Sequence, residues 1–131
     1  MRYLLDANVV ISLLNDASSK LARRARRERP ADIAISAIVA HELFYGAFRS
    51  RRAVDNVALV DSIQLMVLEF DKEDARQAGE VRALLASKGT PIGPYDVLIA
   101  GQAKARNLIL VTHNTNEFER VPGLRLDDWQ A

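Results

Sequence analysis

The stretch Tyr3–Leu14, "YLLDANVVISLL", sets a single carboxylate between two apolar segments. Its first three residues form a short apolar run, which is typical of a strand buried on both faces of a parallel sheet. Beyond Asp6, apolar residues recur from Val9 to Leu14 at the three- and four-residue spacing of a helix. The stretch therefore predicts a buried strand that ends at Asp6 and continues directly into a helix.

The same alternation of strand and helix extends along the rest of the chain. Further strands are predicted at Asp32–Ser36, Leu65–Phe70 and Leu108–Thr112, and Leu124 and Leu126 are assigned to a last short strand. Helices are predicted from Ser18 to Arg29, from the N-cap Ser36 to Phe48, from Arg51 to Ile63, from the N-cap Asp71 to Gly89 and from Pro94 to Asn107, with one helical turn in the loop 113–123. This order predicts an α/β sandwich with a mostly parallel sheet, and such folds bind ligands at the carboxyl ends of the strands.

The composition predicts one globular domain covering residues 1–131. The chain is 49% hydrophobic and 27% charged, with a net charge of +1. It has no cysteine, which excludes a disulfide scaffold, a thiolate zinc site and a cysteine nucleophile. No apolar run approaches the roughly 20 residues of a membrane span, and the N-terminus lacks the features of a signal peptide. We therefore expect a cytoplasmic protein with no membrane partner.

Three carboxylates are predicted to meet at one edge of the sheet. Asp6 ends the first strand, Glu42 lies in the helix after the second strand, and Asp96 lies in the first turn of the helix after "IGP". Two unit charges about 4 Å apart repel by roughly 4 kcal/mol at an effective dielectric of about 20, so such a cluster takes up protons or binds a cation. Oxygen ligands favour Mg²⁺ or Mn²⁺, which activates water and neutralises phosphodiester charge. The cluster predicts metal-dependent cleavage of a nucleic-acid backbone.

Each of the three acids also has an ordinary structural interpretation. Asp6 could cap the helix that follows it, and Asp96 could favour the positive end of its own helix. Glu42 could be an ordinary helix residue. Spacing along the chain does not decide between these roles and a shared site.

Three stretches of the chain together match a known family in its own order. They are "YLLDANVVISLL" (3–14), "ISAIVAHELFYGAFRS" (35–50) and "GTPIGPYDVLIAGQAKARNLILVTHNTNEFERVPGLRLDDW" (89–129). The chain resembles the PIN-domain ribonucleases, and among them the VapC toxins of bacterial VapBC toxin–antitoxin pairs. The resemblance implies a compact α/β/α sandwich with a short, mostly parallel sheet that binds Mg²⁺ or Mn²⁺ and cleaves RNA.

The resemblance assigns roles to four acids. Asp6, Glu42 and Asp96 match the first three acids of the family, and Glu117 is a fourth candidate in place of the aspartate that many members have where this chain has Asn114. The implied catalytic set is thus Asp6, Glu42, Asp96 and Glu117, with Asp6 and Asp96 as the main metal ligands and Thr112 and Asn114 as support.

Position 7 departs from the family pattern. The family commonly has a hydroxyl residue after its first aspartate, and this chain has Ala7. Loss of a hydroxyl that holds a ligand or a water beside a metal weakens the site. We expect weaker metal binding or slower turnover, and not an inactive site.

Basic residues form two clusters with two open interpretations. The first contains Arg23, Arg24, Arg26 and Arg27, and the second contains Arg49, Arg51 and Arg52. Each cluster is either a solvated surface or a contact for RNA phosphates, and His113 is a further candidate RNA contact, whereas His41 is interpreted as a surface residue. By resemblance the substrate is structured RNA, with a tRNA anticodon loop as the leading candidate.

The resemblance also implies protein partners. A VapB-type antitoxin would dock near the helix that carries Leu43, Phe44, Tyr45 and Phe48. The same residues could instead belong to the core or to a homodimer interface, and dimers are common among similar chains.

Two other functional classes remain open from the residues alone. A phosphoacceptor receiver domain also places acids at strand ends, but it needs an acid pair after the first strand and a lysine after the last core strand. This chain has the single Asp6 and no lysine in "VTHNT". The second alternative is a catalytically weak PIN-like module that binds RNA or protein.

Overall fold

Five short parallel strands form the centre of the fold. The computed structural model describes all residues, Met1–Ala131. The strands are β1 (Tyr3–Leu5), β2 (Ile33–Ser36), β3 (Met66–Leu68), β4 (Ile109–Val111) and β5 (Leu126–Asp127). Their order in the sheet is β3-β2-β1-β4-β5, and every neighbouring pair is parallel. The predicted α/β class is confirmed, and the first strand of the chain is the central strand of the sheet.

Helices connect the strands and cover the sheet. They are α1 (Ala7–Asn15), α2 (Lys20–Arg26), α3 (Ala37–Phe48), α4 (Ala53–Asp61), α5 (Lys72–Ser87), α6 (Pro94–Ala105) and α7 (Thr115–Phe118), with a 3₁₀ turn at Pro30–Asp32. Helix α5 packs along α6, and α3 packs along α4. The result is the α/β/α sandwich that the resemblance implied.

Helix ends agree with the predicted caps because these contacts are local. The Ser36 side chain accepts a hydrogen bond from the Ile38 backbone N–H, and Asp71 accepts one from the Asp74 backbone. Past the ends of α5 and α6, Gly89 and Asn107 adopt φ values of 69° and 55°, the left-handed conformation that closes a helix.

Several element boundaries were wrong. Helix α2 begins at Lys20 and ends at Arg26, because Ser19 is its N-cap and the chain then turns toward Pro30. The predicted strands at Leu65–Phe70 and Leu108–Thr112 are three residues each in the structure, and β5 begins two residues after Leu124.

Strand β3 also differs from the expectation that both faces of every strand are covered. Met66 is 56% exposed and Val67 is 49% exposed. The reason is the strand order, which places β3 at the edge of the sheet, where fewer elements pack against it.

The contact between α5 and α6 is close and contains a buried ion pair. Arg106 donates to both carboxylate oxygens of Asp74, at 3.2 and 2.9 Å, and Gln102 donates to the same group at 3.0 Å. Asp74 is only 1% exposed. These bonds fix the position of α6 relative to α5, and α6 carries Asp96 at its first turn.

Among the helices of the fold, none combines the length and the apolar character that crossing a lipid bilayer requires.

Candidate active site

The carboxyl ends of β1, β2 and β4 bring the predicted acids to one edge of the sheet. Asp6 directly follows β1, and Glu42 lies in α3, which begins where β2 ends. Asp96 lies in the first turn of α6, and Glu117 lies in α7, shortly after β4. Asp6 and Glu42 each influence the pKa of Asp96, which shows that the three are electrostatic neighbours. The predicted convergence is therefore present in the structure.

Asp6 is both a helix cap and a member of this cluster. Its Oδ1 accepts a hydrogen bond of 2.9 Å from the Val9 backbone N–H, which makes it the N-cap of α1. Its Oδ2 accepts a hydrogen bond of 2.5 Å from the Thr112 hydroxyl. Burial raises the pKa of Asp6 against these two bonds. The two interpretations of Asp6 thus describe one side chain, whose orientation is fixed from both sides.

The carboxylates destabilise one another's charged forms. Burial raises the pKa of Asp96 to about 7, and the charge of Glu117, a hydrogen bond with Glu117 and the charges of Glu42 and Asp6 add to the effect. Burial also raises the pKa of Glu42, and the charge of Asp6 contributes. Clusters of this kind are typical of sites that hold a cation or a proton.

Glu117 is engaged by hydrogen bonds at both of its oxygens. The Gly93 backbone N–H donates to Oε1 at 2.8 Å, and Asn114 Nδ2 donates to Oε2 at 2.6 Å. A Cβ atom at Gly93 would lie 3.0 Å from Asp96 Oδ2, so glycine leaves room for that carboxylate. The geometry joins Glu117 to the loop that presents Asp96, and its predicted catalytic role stays a prediction.

The donor set fits a divalent cation. Glu42 Oε1 is buried and has no hydrogen-bond partner, which is costly for a carboxylate oxygen unless a cation or proton satisfies it. All the candidate ligands are oxygens, the preference of Mg²⁺ and Mn²⁺. No three acidic or histidine side chains already stand at metal-ligating spacing. An ion would therefore complete its shell with water or substrate oxygens, as Mg²⁺ commonly does.

Thr112 supplies a hydroxyl that the sequence lacks at position 7. Ala7 is the first residue of α1 and offers no polar atom, whereas the Thr112 hydroxyl reaches Asp6 from β4. The support role predicted for Thr112 agrees with this contact. The expectation that Ala7 weakens the site stays a prediction, and a gain in Mn²⁺ affinity or rate in Ala7→Thr would test it.

The basic clusters are partly used within the fold. Arg24 pairs with Glu28 and lies over the rings of Tyr3 and Trp129, and its predicted RNA contact stays a prediction. Arg52 is bound to Asp55, and Arg49 lies over Tyr45. The remaining arginines of the two clusters, Arg23, Arg26, Arg27 and Arg51, are exposed.

The α3 residues predicted to dock an antitoxin divide into two sets. Leu43 is 6% exposed and belongs to the core, and it also lines the groove described below, so its predicted antitoxin contact stays a prediction. Tyr45 and Phe48 are exposed, and Phe44 is half-buried. Residues of α1, α3 and α4 also line a largely apolar groove that includes Glu42, and its exposed apolar residues are Ile11, Leu14 and Leu59.

Two residues at the edge of the site were not among the predicted site residues. Gly93 bonds Glu117 through its backbone, and Asp128 bonds His113 through its side chain. A side-chain pattern cannot reveal a backbone donor. Asp128, however, follows the last strand of a parallel sheet, and that position alone would have placed it at the same edge.

The comparison with known proteins agrees with this geometry. The family model described as PIN domain matches residues 3–124. The tRNA(fMet)-specific endonuclease VapC of Salmonella typhimurium is 40% identical over 131 residues, covering 98% of both chains, and ribonuclease VapC2 of Rickettsia felis is 36% identical over 132 residues with the same coverage.

Solved structures show the same likeness. A chain of the DNA-bound VapBC complex from Salmonella typhimurium superposes with a TM-score of 0.93 at 40% identity, covering 98% of both chains. A chain of the VapBC2 complex from Rickettsia felis, bound to a promoter DNA fragment, gives 0.90 at 35% identity, covering 98% of this chain and 99% of that one. The chain belongs to the PIN-domain family. Within that family it is a member of the VapC group of toxins.

Proposed function

We propose that this chain is a Mg²⁺- or Mn²⁺-dependent endoribonuclease, the toxin of a VapBC-type pair. The observation that carries the proposal is the cluster of Asp6, Glu42 and Asp96. The pKa values of all three carboxyl groups are raised, and Glu42 Oε1 is buried without a hydrogen-bond partner. Relatives named ribonuclease or endonuclease cover nearly the whole chain.

Five residues have distinct proposed roles at the site. Asp6 and Asp96 hold the ion, and Glu42 offers its unpartnered oxygen to the same space. Thr112 fixes Asp6, and Glu117 holds the loop around Gly93 in place. When bound, the ion supplies an activated water and a counter-charge for the phosphodiester. No histidine is required as a base.

We infer that the substrate is structured RNA, with a tRNA as the leading candidate. Support comes from the relative in Salmonella typhimurium, which is named as specific for tRNA(fMet). An anticodon loop suits such a site because single-stranded loops present unstacked bases and accessible phosphodiesters. The exposed Arg23 and Arg27 would contact phosphates without reading sequence.

Sequencing of RNA 5′ ends after induced expression tests the nuclease. Wild type should produce new 5′ ends at a small set of sites, and Asp6→Asn should produce none. Asparagine still caps α1, because Asn is as good an N-cap as Asp, so the variant should fold. Identical 5′ ends in the two strains would refute the nuclease and favour a binding module.

We propose that a VapB-type antitoxin places an apolar segment in the groove between α1, α3 and α4. The groove is largely apolar and accessible, and Glu42 is one of its lining residues, so a segment lying in it would also contact one of the acids. Relatives in solved structures occur in VapBC complexes.

A charge placed in the groove tests this partner surface. Leu59 is 45% exposed inside the groove, whereas Val54 is 85% exposed on the same helix outside it. Leu59→Glu should weaken binding of the co-expressed cognate antitoxin by at least about tenfold, because apolar anchors carry much of such binding. Val54→Glu should leave binding unchanged. Equal binding by both variants would place the antitoxin elsewhere.

We further propose that the chain forms a homodimer. Tyr45, Phe48 and Tyr95 are large, exposed aromatic residues of α3 and α6, and such groups are enriched at protein interfaces. Light scattering should give twice the 14.6 kDa chain mass. The monomer mass at micromolar concentration would refute the dimer.

A further inference from the structure

His113 and Asp128 form a hydrogen-bonded pair beside the acid cluster, and neither side chain bonds to the four acids proposed for the site. His113 Nδ1 lies 3.0 Å from Asp128 Oδ2. The His113 side chain is 67% exposed, whereas Asp128 is 19% exposed. The pair joins the loop after β4 to the residue that follows β5, and it leaves one edge of the imidazole open to solvent.

Residues on both sides of His113 bind the acids. Thr112 donates to Asp6 Oδ2, and Asn114 donates to Glu117 Oε2. The Asn114 backbone N–H also donates to the Thr112 hydroxyl at 3.0 Å. Burial dominates the raised pKa of Asp6, yet His113 lowers that pKa and Asp128 raises it, which places both within electrostatic range. The imidazole is thus held beside the residues that bond Asp6 and Glu117.

Asp128 determines which ring nitrogen is available. An ionised carboxylate has no hydrogen to donate, so the hydrogen of this bond belongs to Nδ1 of His113. In the neutral ring, Nε2 then carries a lone pair and accepts hydrogen bonds. An acceptor at this position suits a hydroxyl group better than a phosphate, whose oxygens are acceptors themselves.

We propose that Nε2 of His113 accepts a hydrogen bond from a ribose 2′-hydroxyl beside the phosphodiester that is cleaved. The inference rests on the ribonuclease function proposed above, and it identifies a contact by which the site distinguishes RNA from DNA, since the 2′-hydroxyl is the group that differs. His113 touches the substrate, whereas Asp128 is a positioning residue that acts by fixing the tautomer and orientation of the ring.

Single 2′-deoxy substitutions in an RNA oligonucleotide test the contact. The oligonucleotide carries the mapped cleavage site, one ribose at a time is replaced, and kcat/KM is measured with Mg²⁺ at pH 8, above the ordinary titration range of histidine. For wild type, one position should lower kcat/KM by about five- to tenfold, the effect of one hydrogen bond. His113→Ala should show a similar loss on the all-RNA oligonucleotide and no further loss at that position.

Three variants separate this contact from a structural role. His113→Asn keeps a side chain that can bond Asp128 but has no Nε2, so it should lose the same sensitivity while its melting temperature stays near wild type. Asp128→Ala frees the ring and should reduce the sensitivity. His41→Ala is the control, because His41 lies against the Tyr95 ring with centroids 5.4 Å apart, and it should keep the full sensitivity.

The outcomes distinguish the inference from the function on which it rests. If both His113 variants slow every oligonucleotide equally and keep the deoxy effect, His113 is structural and the inference is wrong. If a methylphosphonate substitution, and not a deoxy substitution, shows the coupling to His113, the contact is to phosphate and the inference is also wrong. If wild type cleaves no RNA, the proposed ribonuclease fails and takes the inference with it.

Discussion

Asp96→Asn should abolish RNA cleavage and at the same time make the metal-free protein more stable near neutral pH. Loss of residues that only support metal ligands costs about 10- to 100-fold in activity, so loss of a proposed ligand should cost more than about 100-fold. The gain in stability follows first from the burial of the Asp96 carboxylate and then from its crowding by Glu117, Glu42 and Asp6, both of which an uncharged amide relieves. A purely structural acid would show the opposite sign.

The gain in stability from Asp96→Asn should grow as the pH rises. The pKa of Asp96 is about 7 in the folded protein, whereas the unfolded chain releases this proton near the ordinary aspartate pKa of 3.8. Between these values the folded state binds more protons, so its stability falls as the pH rises. The melting temperature of Asp96→Asn should therefore match that of wild type near pH 4 and exceed it by a few degrees at pH 8.

The melting temperatures of wild type and Asp96→Asn should also be compared with and without Mn²⁺ at a roughly five- to tenfold molar excess over the protein. Mn²⁺ should stabilise wild type at pH 8 and leave Asp96→Asn unchanged, because ligand binding stabilises only a state that binds it. Asp61→Asn is the matched control, since Asp61 is exposed at the end of α4, outside the cluster. A variant that is less stable than wild type at pH 8, or that still responds to Mn²⁺, would contradict the assignment of Asp96 as a crowded metal ligand.

Gly101→Ala should destabilise the fold more than the same change at the other two helical glycines, Gly46 and Gly79. A Cβ atom at Gly101 in α6 would lie 2.4 Å from the Cα atom and 2.5 Å from the backbone N of Ala78 in α5. Backbone atoms cannot rotate away, so the two helices must separate. Overpacking of this kind costs about 1–3 kcal/mol or more, out of a total of about 5–15 kcal/mol for a domain.

Gly79→Ala is the control for this experiment, because Gly79 lies in α5 with nothing within 4 Å of its added Cβ atom. In an open helical position, alanine should stabilise by about 0.4–1 kcal/mol. Urea unfolding followed by circular dichroism should place the two midpoints on opposite sides of wild type. A Gly101→Ala protein as stable as wild type would show that α5 and α6 can move apart at little cost.

Local features of the fold could be predicted from the sequence, and contacts between distant segments could not. The caps Ser36 and Asp71 act within two or three residues, so the sequence contains both partners of each bond side by side. The exposure of β3 depends on strand order, which no short pattern encodes. The contacts of Arg24 with Tyr3 and Trp129 could not be predicted, because these two partners lie at opposite ends of the chain.

In the candidate site, too, features within one segment were easier to predict than contacts between distant segments. Asp6, Glu42 and Asp96 could be proposed together, because Asp6 follows a strand, Glu42 and Asp96 lie in helices, and each is a carboxylate embedded in apolar sequence. The hydroxyl of Thr112 reaches Asp6 across 106 residues, and its bond length and direction depend on how β4 pairs with β1. The residues that fix the acids in place are thus harder to predict than the acids themselves.

The position of β1 in the middle of the sheet has a consequence during synthesis of the chain. β1 leaves the ribosome first, yet one of its two neighbours is β4, at Ile109–Val111, and the hydroxyl that orients Asp6 comes from Thr112. The acid cluster therefore cannot be completed until almost the whole chain has been translated. The nascent polypeptide therefore lacks the assembled acid cluster that the proposed RNA cleavage requires, and only the finished chain has it.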